Sequence, residues 1–358
     1  MVRYAWELPT RGDSRHVGSA PRHRGGWGPG PTSAVATDIR PGRFGPFDAL
    51  DQIIAGAELT GYDSVIAPYD PHGEESWIVA GNALRQTRHA RVGVGFHPGF
   101  GTPVYAAKVS ATLQRLSGDR LDWHVTVETT DADDRSRGDR TSVAEKYRRA
   151  EEFLTVAKGV WTGAGTRGGG FAGGEFNFAG EFYDVIDGGF DEAVTGHAFP
   201  TVHLSGDSEA ALDLSARHGD VHLFELSGSL DNSVQELTGR ARSLGRQIGV
   251  GLRLPIIARE TTDEAWARLR RQWAELPGSA ADPGGGRIDD VTFTGFEHLG
   301  HRTSVGLVGS YDDVAQRISE LAAGGIDVFV LSGVPHIEEL HRAVEHLLYR
   351  TDPARVLA

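Results

Sequence analysis

The chain has 358 residues, 39% hydrophobic and 24% charged, with a formal charge of −13 at neutral pH. That acidity excludes general affinity for nucleic acid, which needs Lys and Arg in excess on some face. No apolar run approaches the roughly 20 residues needed to span a bilayer, and the absence of cysteine excludes disulfides, thiolate metal sites and a cysteine nucleophile. The start, MVRYAWELPTRGD, has neither a basic stretch leading into an apolar one nor a small-residue cleavage site, so a cytoplasmic location is expected.

Short apolar strand patterns alternate with amphipathic helix patterns along the whole chain, the signature of βαβ units. Strand one is Arg3 to Leu8, followed after a Gly- and Pro-rich loop by a helix from Phe47 to Leu59. Ser64 to Ala67 and Glu75 to Gln86 make the second round, and Val92 to Phe96 with Pro103 to Leu116 the third. Leu121 to Val127 is strand four, and its helix runs from Val143 to Trp161 behind a Ser142/Glu145 capping box. The aromatic stretch FNFAGEFY then predicts a small hairpin. Three rounds follow: Thr201 to Leu204 with Ser208 to His218, Val221 to Leu226 with Asn232 to Leu244, and Val250 to Ala258 with Thr262 to Leu276. The last round has a helix from Tyr311 to Ala323, the strand Val328 to Leu331 and a closing helix from Ile337 to Leu348. Eight near-continuous apolar strands predict an α/β fold of the (β/α)8 (TIM) barrel type as one domain, with insertions at about 14–46, 163–184 and 277–304. The rival, an open doubly wound sheet, lacks its glycine fingerprint: PTRGDSRHVG follows strand one.

Several segments, in the same order along the chain, resemble the flavin-dependent alkanesulfonate monooxygenases of the bacterial-luciferase family. They are LPTRGD, GYDSVIAP with EESWIVA, SGDRLDWHV with EKYRRAEEF, GLRLPIIARETTDEAW, and LVGSYDDVAQRISELAAGGIDVFVLSGVPHIEEL, together covering about two thirds of the chain. The resemblance implies a two-component system. A separate NAD(P)H-dependent flavin reductase supplies FMN as FMNH2, and O2 is the cosubstrate. A small, anionic, sulfonate-like or other organosulfur substrate is oxygenated through a flavin peroxide. Members of the family usually assemble as homodimers or homotetramers.

Residues that carry chemistry fall at strand ends, where barrels place their sites. Ser205, Gly206, Asp207 and Ser208 open the fifth helix, so their backbone N–H groups suit an anion, and the resemblance assigns them the FMN phosphate; plain N-capping explains the same residues. His124 stands where the family has an Asn beside the flavin ring, and Tyr147 matches a family Tyr near the cofactor; core packing is the alternative for both. Arg253 interrupts the apolar run GVGLRLPII and needs an anion, either a protein carboxylate or a substrate oxyanion. His336 and Ser332 lie in the turn after the last strand, and Trp6, next to Glu7, is expected to wall the flavin side. The segment Pro277 to Ser304 takes the place of the family's mobile lid, with Arg302 standing in for the lid arginine.

Four positions depart from the sulfonate enzymes: Arg11, Gly73, Pro255 and Val334 replace a His, a Cys, a His and a Tyr. Arg11 and Arg253 together still favour an anionic substrate. The alternatives are an F420-dependent hydride-transfer oxidoreductase on the same barrel, whose phosphate loop is usually more basic than SGDSE, and a non-catalytic flavin-binding relative. A hydrolase needs paired carboxylates or a metal cluster; Glu128 and Glu225 are the candidates, and neither has a ligand-like His spacing, so no metal is expected.

Overall fold

The computed structural model describes residues 2–11, 46–162, 175–190, 196–276 and 282–351. Much of the expected insertions, residues 12–45, 163–174 and 277–281, lies outside the described residues.

The strands are β1 (Arg3–Glu7), β2 (Ser64–Ala67), β3 (Arg91–Phe96), β4 (Leu121–Val125), β5 (Phe176–Ala179), β6 (Asp184–Gly188), β7 (Thr201–Ser205), β8 (Val221–Glu225), β9 (Gly249–Arg259), β10 (Thr292–Thr294), β11 (Val305–Ser310) and β12 (Val328–Ser332). The helices are α1 (Pro46–Thr60), α2 (Ser76–Gln86), α3 (Pro103–Ser117), α4 (Asp131–Arg137), α5 (Val143–Thr162), α6 (Glu209–His218), α7 (Leu230–Ser243), α8 (Thr262–Ala274), α9 (Tyr311–Ala323) and α10 (His336–Ala343). Eight strands, β1, β2, β3, β4, β7, β8, β9 and β12, pair in parallel in that order, and β12 returns to β1 to close the barrel. The α/β barrel expected from the alternation is the fold observed. Strands β5 and β6 form the hairpin outside it.

Two apolar layers hold the barrel. Ala5, Ile66, Val221, Leu223, Val328 and Val330 fill its interior, while Tyr4, Trp6, Leu8 and their equivalents on the other strands face the surrounding helices. Each such fully buried side chain contributes about 1.5–3 kcal/mol. In β3 the alternation is between Val92, Val94 and Phe96 facing out and Gly93 and Gly95 facing in. Gly95 has to be glycine: a Cβ there would lie 2.1 Å from the Tyr69 backbone nitrogen. The capping box opens α5 as expected, with Ser142 N–H donating to Glu145 Oε2 at 2.9 Å and Glu145 N–H to Ser142 Oγ at 3.3 Å.

Strand β9 is longer than the barrel needs. Its inner half pairs with β8 and with β12, the latter ending at Pro255, which has no N–H to donate. Its outer half, Ile256 to Arg259, pairs with β11, and β10 adds antiparallel to β11. A second core of Ile257, Trp266, Leu269, Phe293, Phe296 and Val308 packs beneath this extension. The pattern reading placed no strand at β10 or β11 and no helix at α4, and it ran the last helix unbroken to Leu348, where the chain instead turns π-helical from Val344 to Leu348. Among the described residues no helix is long and apolar enough to cross a membrane.

Candidate active site

A cavity of about 570 Å³ opens at the C-terminal ends of the barrel strands. Strand alternation decides what faces it. Ser205 ends β7, Glu225 ends β8, and Arg253 stands opposite Glu225 in the β8–β9 register, so all three line the cavity. Arg11, Arg302 and Glu128 complete its polar wall.

One end is cationic. Among the described residues Arg253 Nε is buried without a hydrogen-bond partner, and Glu7 Oε2 lies 3.8 Å away, within Coulomb range but not bonded. Burial lowers the Arg253 pKa, and Glu7 opposes that shift. Arg302 reaches the same Glu7 oxygen at 3.9 Å and donates from Nη1 to the Tyr69 carbonyl at 2.8 Å. Arg11 is committed to Asp70 at 2.5 Å; burial works against that carboxylate, yet the bonds from Arg11 and the His72 N–H keep it ionised below its ordinary pKa. Burial pushes the Glu225 carboxyl up, against the pull of Arg253, so it holds its proton to a higher pH than a free Glu.

The other end is acidic. Gly206, at φ +124, bends the chain between β7 and α6, and Ser208 caps α6 by accepting the Ala211 N–H at 3.2 Å. The Ser208 hydroxyl donates to Glu128 Oε1 at 2.7 Å, and the Tyr147 hydroxyl donates to the same oxygen at 2.6 Å. Burial, then the bond to Glu128, raises the Tyr147 pKa, so it stays a phenol. Of the residues expected near the flavin and its phosphate, Tyr147 and Ser208 direct their hydroxyls to a protein carboxylate, and Asp207 lines the same cavity. A cavity of this volume and the unsatisfied Arg253 Nε fit a flavin-sized ring with polar edges; the Glu128 end does not fit a phosphate dianion.

Of the expected site residues, Tyr147 and Ser208 reach the cavity only through their bonds to Glu128, and four others fall elsewhere. Trp6 is fully buried and points away from the cavity into the layer under the helices, because in β1 it is Ala5 and Glu7 that face inward; the expected flavin wall is not there. Its Nε1 donates to His336 Nδ1 at 3.2 Å, which draws His336 behind the strand. His336 and Ser332 line a neighbouring pocket of about 30 Å³, closed off by Glu7 and Arg302, and Ser332 Oγ meets His301 Nδ1 at 2.9 Å. His124 lies in the barrel below the cavity, stacked on His203 with ring centroids 4.2 Å apart. Burial lowers both pKa values, that of His203 to about 4, so both rings are neutral at pH 7. Glu128 and Glu225 are the site residues that pattern reading weighed only as hydrolase carboxylates; their position at strand exits was the available signal.

A closed barrel with a charged cavity at the C-terminal strand ends is the architecture of a barrel enzyme. The chain belongs to the luciferase-like monooxygenase family, which it matches over residues 26–328. Its backbone is similar to that of a riboflavin lyase with modified FMN and substrate riboflavin, at 18% identity over 100% of this chain and 93% of that one, TM-score 0.72. It is equally similar to EDTA monooxygenase from Chelativorans sp. BNC1, at 18% identity over 100% and 95% of the two chains, TM-score 0.72. A coenzyme F420-dependent tetrahydromethanopterin reductase from Methanopyrus kandleri follows at 13% identity over 98% and 99%, TM-score 0.68. At these identities the likeness is one of fold.

Proposed function

We propose that the protein is a reduced-flavin-dependent monooxygenase that oxygenates a small organic anion of the sulfonate type, with a separate reductase supplying the flavin. The observation that supports this reading is Arg253, whose side chain lines the cavity at the strand ends while its buried Nε has no hydrogen-bond partner among the described residues. A buried cation without a bonded carboxylate is unfavourable unless a ligand completes it. Reduced flavin, when bound, supplies the two electrons that activate O2. The protein's own residues do the rest: Arg253 and Arg302 converge on Glu7 and offer two guanidiniums to an anion's oxygens. Glu225, its pKa raised by burial, stands opposite Arg253. The turn carrying Arg302 is tied to the Tyr69 carbonyl, which holds that guanidinium at the cavity.

The test is anaerobic titration of the purified protein with reduced flavin and with reduced F420, followed by mixing with oxygen and a panel of short sulfonates and carboxylates. Reduced-flavin binding and oxygen consumption coupled to substrate oxidation are expected. Failure of reduced flavin to bind, or F420 binding with hydride transfer in the absence of oxygen, sinks the proposal.

A further inference from the structure

The acidic end of the cavity is a built feature. Glu128 Oε1 takes both available hydroxyl protons, those of Tyr147 and Ser208, and the two hydroxyl oxygens are themselves 3.3 Å apart. The single Ser208 proton is thus committed to Glu128, and the Ser208 oxygen also accepts the Ala211 N–H. The loop backbone presses against the cluster: an atom at the Cβ position of Gly206 would lie 3.4 Å from Tyr147 Oη and 3.9 Å from Glu128 Oε1. Any group that reached the N–H donors at the start of α6 would meet that carboxylate.

The flanking cations do not offset it. Arg137 and Lys146, on the two helices that follow Glu128, are both paired with Asp134; the Lys146 ammonium also donates to Thr129 Oγ1 at 3.0 Å. Asp133 and Asp207 line the same wall. A phosphate dianion here faces fixed negative charge at close range, an opposition worth on the order of tenfold or more in affinity. A neutral hydroxyl meets the opposite situation: it donates to Glu128 Oε2, which receives neither the Tyr147 nor the Ser208 proton, and accepts from the backbone N–H groups of the helix start. At the far end of the cavity Arg253 lines the wall, and its buried Nε has no hydrogen-bond partner among the described residues.

Resting on the flavin reading above, we propose that the Glu128–Tyr147–Ser208 cluster makes the cavity select a flavin whose ribityl arm ends in a free hydroxyl, and reject its phosphate monoester. Glu128 is then the residue that sets cofactor form in a family fold whose usual ligand carries phosphate there.

The experiment is a pair of equilibrium titrations of the whole protein, followed by tryptophan fluorescence, with riboflavin and with FMN, each oxidised and each reduced under nitrogen. The wild-type protein should bind riboflavin at least tenfold more tightly than FMN. Glu128→Gln should gain at least tenfold for FMN while riboflavin, its charged acceptor replaced by an amide, binds no more tightly than to the wild type, and Asp207→Asn, which leaves the hydrogen-bonded cluster intact, should shift FMN in the same direction by a smaller factor. Circular dichroism melting of both variants checks that they fold. FMN binding as tight as riboflavin in the wild type, with no gain in either variant, overturns the proposal and leaves the flavin reading standing. Binding of neither flavin overturns both.

Discussion

Replacing Arg253 with alanine separates a structural role from a ligand-binding one, because the two predict effects of opposite proportion. At 3.8 Å and an effective dielectric of about 20, the Arg253–Glu7 attraction is worth about 4 kcal/mol. That gain is opposed by the cost of burying the guanidinium, which is large enough to lower its pKa. Glu7 also keeps Arg302 at 3.9 Å, so the variant does not strand it. The net loss of stability should therefore stay below about 2 kcal/mol, a melting shift of about 3 °C for a chain of this length. A bound anion, in contrast, loses a charge-assisted contact in a dry site, about 2–5 kcal/mol, or 30-fold to several-thousand-fold in affinity. The assay is thermal unfolding of the ligand-free protein beside isothermal titration with the best sulfonate or carboxylate substrate. A melting point that collapses while anion affinity stays within threefold of wild type would show that Arg253 is a structural ion pair and refute the reasoning.

Three further outcomes follow from the same geometry. His203 titrates near 4 when folded against an ordinary 6.5, so the unfolded chain takes up a proton first: its contribution is complete above pH 6.5 and is lost, by up to about 3 kcal/mol, as pH falls toward 4. His203→Phe should flatten the melting temperature against pH between 7 and 5, and an unchanged slope contradicts the assignment. Gly95→Ala should cost at least about 3 kcal/mol or abolish soluble expression, since its Cβ would meet Tyr69 and Pro68 backbone that cannot give way; a melting point within 2 °C of wild type, about what experiment can call unchanged, counts against it. Glu225→Gln should lower turnover by about 100-fold and remove the alkaline limb of the rate profile, because the raised carboxyl loses its proton as pH climbs; a wild-type profile shows that Glu225 transfers no proton.

The barrel was legible because each of its strands is a short apolar run and each connecting helix has an apolar stripe. What escaped had neither signal. The β11 stretch VGLVGS is broken by Gly306 and Gly309 and sits on the extension of β9, outside the barrel alternation. Helix α4, DADDRSR, has no apolar face and is held by its Thr130 cap and the αL turn at Gly138. The misplacement of Trp6 has a different cause. A strand buried on both faces reads as continuously apolar, so RYAWE does not say which of Ala5 and Trp6 faces the axis. Only the closed sheet decides, and it puts the small residue inside. Arg253 announced itself as a charge in an apolar strand, whereas the weight of Glu128 depended on Tyr147 and Ser208 arriving beside it from two different helices' starts, which no local pattern encodes.

Strand β9 carries Arg253 within the barrel, and its outer half seats β11, the strand entered directly after Arg302. Two guanidiniums thus hang from a single beam, and their spacing depends on the register that sets Ile256 beside Leu307. If the proposed anion binds between them, its length is adjustable from the scaffold: sliding β11 along β9 moves Arg302 relative to Arg253 without altering either residue.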